Sequence, residues 1–174
     1  MMKSLIIVLA FIALTGTSEA QTNCACCNET HKQFDFWVGE WIVLDSLGNQ
    51  VGENQISKIE ENCIVLEHWK GAKGGTGTSH NYYDKTDSTW NQLWIDNKGN
   101  VLKLKGRFES GRMVLKSDPD ALGVKGKKNE STYNQITWSQ NEDGTVSQLW
   151  ETYDQNDKLV KTVFLGIYHR KELD

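Results

Sequence analysis

The chain of 174 residues holds a single proline, Pro119, and almost no helical periodicity after its first twenty residues. The missing 3.6-residue pattern excludes helix bundles and helix-rich α/β folds. After that opening segment no apolar run is long enough to span a bilayer as a helix. Positive charge is not in excess either: the net charge is −4, which excludes a protein that grips nucleic acid phosphates by bulk electrostatics. The one basic cluster, Lys125 to Lys128, sits in a Gly-rich stretch and reads as a solvated loop. No nucleophile, catalytic triad or metal-bound water is signalled by any grouping of residues.

What is present begins with an export signal. Lys3 supplies a positive start, Leu5 to Leu14 forms a short apolar run, and Ser18-Glu19-Ala20 offers a small-x-small cleavage pattern. Cleavage near Ala20 yields a secreted or periplasmic chain starting at Gln21. Removal of Lys3 and Glu19 leaves the charge unchanged. Cys24 follows Gln21, Thr22 and Asn23, a poor frame for lipidation. The cysteines are Cys24, Cys26, Cys27 and Cys63, and export makes a disulfide the expectation. Adjacent Cys26 and Cys27 pair only with strain, so the expected bridge joins Cys63 to one of Cys24, Cys26 or Cys27. A second bridge is not expected. As an alternative, Cys24, Cys26, Cys27 and His31 form a compact soft-ligand set for a metal. The expected layout is a signal over 1–20, a Cys-rich arm over 21–33 and one domain over 34–174.

Short runs rich in β-branched and aromatic residues recur along the mature chain, separated by Gly, Asn and Asp turns. The predicted strands are Glu40–Asp45, Gln50–Ile59, Cys63–Lys70, Thr78–Tyr83, Thr89–Ile95, Asn100–Phe108, Arg112–Lys116, Ser131–Gln140, Thr145–Tyr153 and Leu159–Arg170. Short polar turns join nearly all of them, which describes an up-and-down meander. Closing it removes two aggregation-prone edges, so the expected fold is an all-β antiparallel barrel of about ten strands. Ahead of it, Phe34, Trp37 and Trp41 are spaced as one helical turn entering a strand, with Gly39 at the passage. That segment reads as a helical plug covering one barrel end.

The sequence FDFWVGEW (Phe34–Trp41) resembles the hallmark of a bacterial exported family, domain of unknown function 1579. Similarity continues through LEHWKG (Leu66–Gly71), GTSHNYYD (Gly77–Asp84), WNQLWID (Trp90–Asp96), VSQLWETYD (Val146–Asp154) and GIYHRK (Gly166–Lys171). The resemblance implies a lipocalin-like, or calycin, barrel, and Gly39-x-Trp41 is also similar to the start of the lipocalin and fatty-acid-binding superfamily. It implies a fold rather than an activity. Where relatives carry a Ser-x-Asp-Gly-Gly type turn after the penultimate strand, this chain has Tyr153-Asp154-Gln155-Asn156-Asp157.

Side chains alternate along strands, so each strand divides into an inner and an outer set. Leu102, Leu104, Gly106 and Phe108 stand opposite Lys103, Lys105 and Arg107, the clearest such division. Trp90, Gln92 and Trp94 form one set, as do Val146, Gln148, Trp150 and Thr152, and Val65, Glu67 and Trp69. The last strand offers Phe164, Gly166 and Tyr168. The leading expectation is a lumen binding a small apolar or aromatic ligand through Glu67, Trp69, Trp90, Gln92, Trp94, Gln148, Trp150 and Tyr168. One alternative is a barrel enzyme of the cyclase or isomerase kind with Glu67 as acid or base, helped by His80 or Tyr83. Another is a structural domain whose interior is filled. No cofactor is expected; haem held by His169, or by His68 or His80, is the alternative. Ligand identity and oligomeric state are left open.

Overall fold

The computed structural model describes residues 24–120 and 131–172. The expected export signal and the Lys125–Lys128 cluster lie outside the described residues. Ten strands follow one another: β1 (Gly39–Leu44), β2 (Gln50–Ile59), β3 (Ile64–Gly71), β4 (Thr76–Asp84), β5 (Thr89–Asp96), β6 (Val101–Glu109), β7 (Arg112–Ser117), β8 (Thr132–Gln140), β9 (Val146–Asp154) and β10 (Leu159–Arg170). Each pairs antiparallel with the next, and β1 pairs with β10 to close the barrel. The all-β, up-and-down barrel expected from the meander of short strands and turns is therefore the observed fold. Among the described residues no helix is long and apolar enough to cross a membrane.

The turns explain why the meander forms. Asp45 accepts backbone N–H bonds from Leu47 and Asn49, both 2.9 Å. Asp96 does the same for Lys98 and Asn100, and Asp154 for Asn156 and Lys158. A carboxylate that holds two N–H groups of its own loop organises the reversal before any strand pairs. In each of these turns the residue two before the return strand is left-handed: Gly48 at φ 83°, Gly99 at φ 80° and Asp157 at φ 59°. Asp157 thus takes the place a glycine has in the sister turns and keeps the hairpin geometry.

One end of the barrel is filled. A short helix, α1 (Glu29–Lys32), is capped by the Asn28 side chain, and a 3-10 turn (Asp35–Trp37) follows it. Phe34 and Trp37 are fully buried and stacked at 4.9 Å, and both pack on Trp138. The Trp41 indole donates to the Trp37 carbonyl at 2.8 Å, tying the plug to β1. Lys58 reaches from β2 to Asp35 at 2.6 Å. Burying one such aromatic is worth about 2–3 kcal/mol.

Two disulfides hold the arm ahead of the plug. Cys26 pairs with Cys63, as one of the expected choices, and Cys24 pairs with Cys27. The second bridge corrects the expectation that the remaining cysteines stay unpaired: the chain turns between Cys24 and Cys27, bringing their Cα atoms to 5.4 Å. All four sulfurs are consumed, so the proposed metal set of Cys24, Cys26, Cys27 and His31 has no thiolate to offer. His31 instead lies buried, with Nδ1 2.9 Å from Asn28 Oδ1 and its ring edge-on to Tyr83. Burial, and then the charges of Lys85 and Lys58, lower its pKa.

Candidate functional site

Opposite the plug, where β3, β5 and β9 finish and β10 begins, the barrel holds a cavity of about 260 Å³. Its walls are aromatic: Trp69, Trp94, Trp150 and Phe164, with Leu102 and Ile136 beneath. Glu67, Gln92, Gln148 and Tyr168 complete the lining. The interior is therefore neither hollow throughout nor packed solid, but divided between a filled end and an open one.

Glycines set where the indoles lie. A Cβ on Gly77 would sit 2.2 Å from Trp94, and one on Gly52 would sit 2.5 Å from Trp69. A Cβ on Gly166 would meet Phe164 at 2.6 Å. Each ring occupies space that a side chain at the glycine would take. In β10 the register shifts between Thr162 and Phe164, so Val163 is an extra residue and lines the cavity beside Phe164. Leu159, Val160 and Val163 are each 40–48% exposed, giving this end an apolar lip.

A continuous polar network floors the cavity. Glu67 is 4% exposed and accepts from Asn54 Nδ2 at 2.7 Å and from Ser79 Oγ at 2.6 Å. Asn81 Nδ2 donates to the Val65 carbonyl and to Ser79 Oγ, both 2.9 Å. Gln92 Nε2 donates to Asn81 Oδ1 at 2.8 Å. On the other side the Tyr168 hydroxyl accepts from Asn54 at 3.3 Å and donates to Gln148 Oε1. The Trp150 indole is held by Asn134 Oδ1 at 2.9 Å. Burial pushes the Glu67 carboxyl up, against the two donors that lower it. Burial, and then the nearby Glu67 charge, push the Tyr168 phenol well up.

Of the residues singled out by alternation, Glu67, Trp69, Gln92, Trp94, Gln148, Trp150 and Tyr168 surround this one cavity. Trp90 does not. It lies at the plug end, donating to Gln33 Oε1 at 3.0 Å and packing edge-on to Phe34. Trp90 shares a strand face with Gln92 and Trp94, but it stands at the start of β5, below the floor. His68, His80 and His169 are all exposed on the outer face, so none of them can present a ring to haem in this cavity. His80 likewise cannot assist Glu67, and Tyr83 packs against Trp90 instead. Alternation alone did not single out Asn54, Ser79, Asn81 or Asn134. The signal for two of them lay in the register: Ser79 is directly opposite Glu67, and Asn81 opposite Gln92.

Among known proteins, no family model matches the chain, and no curated protein matches it.

Proposed function

We propose that the protein is an exported barrel that binds one small, largely apolar or aromatic molecule in its open end. The reading is carried by the cavity of about 260 Å³, walled by Trp69, Trp94, Trp150 and Phe164 over a floor of hydrogen-bonded polar groups. Apolar walls with a few convergent polar groups are what small-ligand sites consist of. An engineered cavity of roughly 150 Å³ admits benzene, so this one suits a molecule of roughly two fused rings rather than a long acyl chain. Export is supported by the signal-like start and by two disulfides, which persist in oxidising compartments. Kinship with domain of unknown function 1579 belongs to the same proposal and rests on the motifs from Phe34 to Lys171.

The test is to extract small molecules from the purified chain and identify them by mass spectrometry, beside a Val163→Trp variant. Val163 is exposed at the lip, so a larger ring there blocks the cavity without entering the core. A molecule present in near-equal molar amount in the parent and absent from the variant supports the reading. Identical, empty extracts and no binding across a library of mono- and bicyclic aromatics would sink it. A second reading, acid–base catalysis by Glu67, is favoured by its raised pKa inside the cavity. Unchanged turnover of a candidate substrate in Glu67→Gln would end it.

A further inference from the structure

The hydrogen-bond directions of the cavity floor can be worked out from one atom, the Val65 carbonyl oxygen, which can only accept. Asn81 must therefore turn its Nδ2 to Val65 and to Ser79, and its Oδ1 to Gln92. Ser79 Oγ receives the Asn81 N–H, so its own proton points at Glu67. Gln92 spends its Nε2 on Asn81, so its Oε1 is the end left over. Asn54 turns its Nδ2 to Glu67 and Tyr168, and its Oδ1 is buried without a partner. Tyr168 directs its proton to Gln148 Oε1, leaving Gln148 Nε2 as the floor's remaining donor. Asn54 does not line the cavity, so among the described residues the floor offers one uncommitted amide oxygen, that of Gln92, beside the Glu67 carboxyl group with donors aimed at both of its oxygens.

Among the described residues Glu67 is the only acid lining the cavity, and no Lys, Arg or His lines it. Three indoles and one phenyl ring surround the space above, and the faces of such rings attract cations. An isolated carboxylate so deeply buried lacks a counter-charge, which a cationic ligand would supply.

From these observations we infer that the ligand is a compact aromatic amine bound as its ammonium ion, with the charged nitrogen on Glu67 and the Gln92 oxygen beside it, and the ring between the indoles. A carboxylate placed at the floor is disfavoured, since its charge would stand against Glu67 with no basic group among the described lining residues to offset it. The inference rests on the binding reading above and deepens it.

Calorimetric titration of the purified, disulfide-intact chain with three matched probes tests it. These are tryptamine, its neutral isostere propylindole, and the anion indoleacetate. Tryptamine binds about ten-fold or more tighter than propylindole, since one charge-assisted hydrogen bond exceeds the free energy of a ten-fold change. Indoleacetate binds weakest. In Glu67→Gln tryptamine falls to within about two-fold of propylindole, a factor below the ten-fold of one charge-assisted bond, while propylindole itself is unaffected. If propylindole binds the parent as tightly as tryptamine, or indoleacetate binds best, the charge inference is overturned and the binding reading stands. If none of the three binds, both fall. The comparison of probes on the parent chain decides the matter even where the variant does not fold.

Discussion

The guanidinium of Arg170 lies 4.1 Å over the indole ring of Trp41 and donates to the Val38 carbonyl at 2.8 Å. Trp41 stands opposite Arg170 in the β1–β10 pairing, so the contact spans the seam where the barrel closes. Gly39, at φ 146°, makes it possible: a Cβ there would lie 1.8 Å from the guanidinium. The spacing Gly39-x-Trp41 therefore needs a partner near the opposite end of the chain, and the three residues act as one latch.

Arg170→Ala loses the stacking and the hydrogen bond and lowers stability by about 1–3 kcal/mol. Arg170→Lys keeps the charge without the planar face and falls between the two. Urea denaturation midpoints check this order, and a lysine variant as weak as the alanine one is compatible only if charge contributes nothing.

The two disulfides are unequal. Cys26–Cys63 closes a separation of 37 residues from a buried cysteine, whereas Cys24–Cys27 closes a separation of 3 at the surface. Loss of the long bridge in a Cys26→Ser/Cys63→Ser variant costs about 3–4 kcal/mol, and loss of the short one much less. Graded reduction followed by alkylation and peptide mapping labels Cys24 and Cys27 first. Earlier labelling of Cys63 contradicts the assignment.

Glu67 makes stability depend on pH. Its folded pKa lies above the ordinary value of 4.5, so between the two the folded state binds more protons than the unfolded chain. Its favourable contribution is complete below 4.5 and is lost as pH rises through the raised folded value. The turn carboxylates Asp45, Asp96 and Asp143 have lowered pKa values, caused first by hydrogen bonds from Asn49, Asn100 and Thr145. They act in the opposite sense, contributing above the unfolded value and failing as pH falls. Denaturation midpoints followed upward from pH 4.5 should decline more steeply in the parent than in Glu67→Gln. Parallel profiles refute the burial argument.

Gly77→Ala places a methyl group against the Trp94 indole. The strand tolerates alanine, so the ring moves and the barrel persists, at a cost of about 1–3 kcal/mol for overpacking. The checks are a changed near-ultraviolet tryptophan spectrum with an unchanged far-ultraviolet one. An unaltered near-ultraviolet spectrum means Trp94 does not rest on Gly77.

Several features were legible in the residues for definite reasons. Strand limits over Gln50–Ile59 and Leu159–Arg170 match the observed ones, because Asp and Gly turns stop strands locally. Leu102 and Leu104 point in and Lys103 points out, because a two-residue period needs no tertiary information. Trp90 was misplaced because alternation reports which face a residue is on, not how far along the barrel axis it sits. Asn54, Ser79 and Asn81 escaped because polar residues at inward positions blur the pattern, and only the pairing across strands supplies their partners.

By itself, then, the sequence determined the all-β meander, its turns, the alternation of faces and the aromatic plug. All of these follow from interactions within a few residues or within one hairpin. Only the tertiary structure decided which cysteine meets Cys63, at what height each indole stands and where filled core gives way to cavity. Those depend on the stagger of strands around a closed barrel, a property of all ten together. Only that closure brings Tyr168 of the last strand to Asn54 of the second, which the β2–β3 hairpin already holds on Glu67.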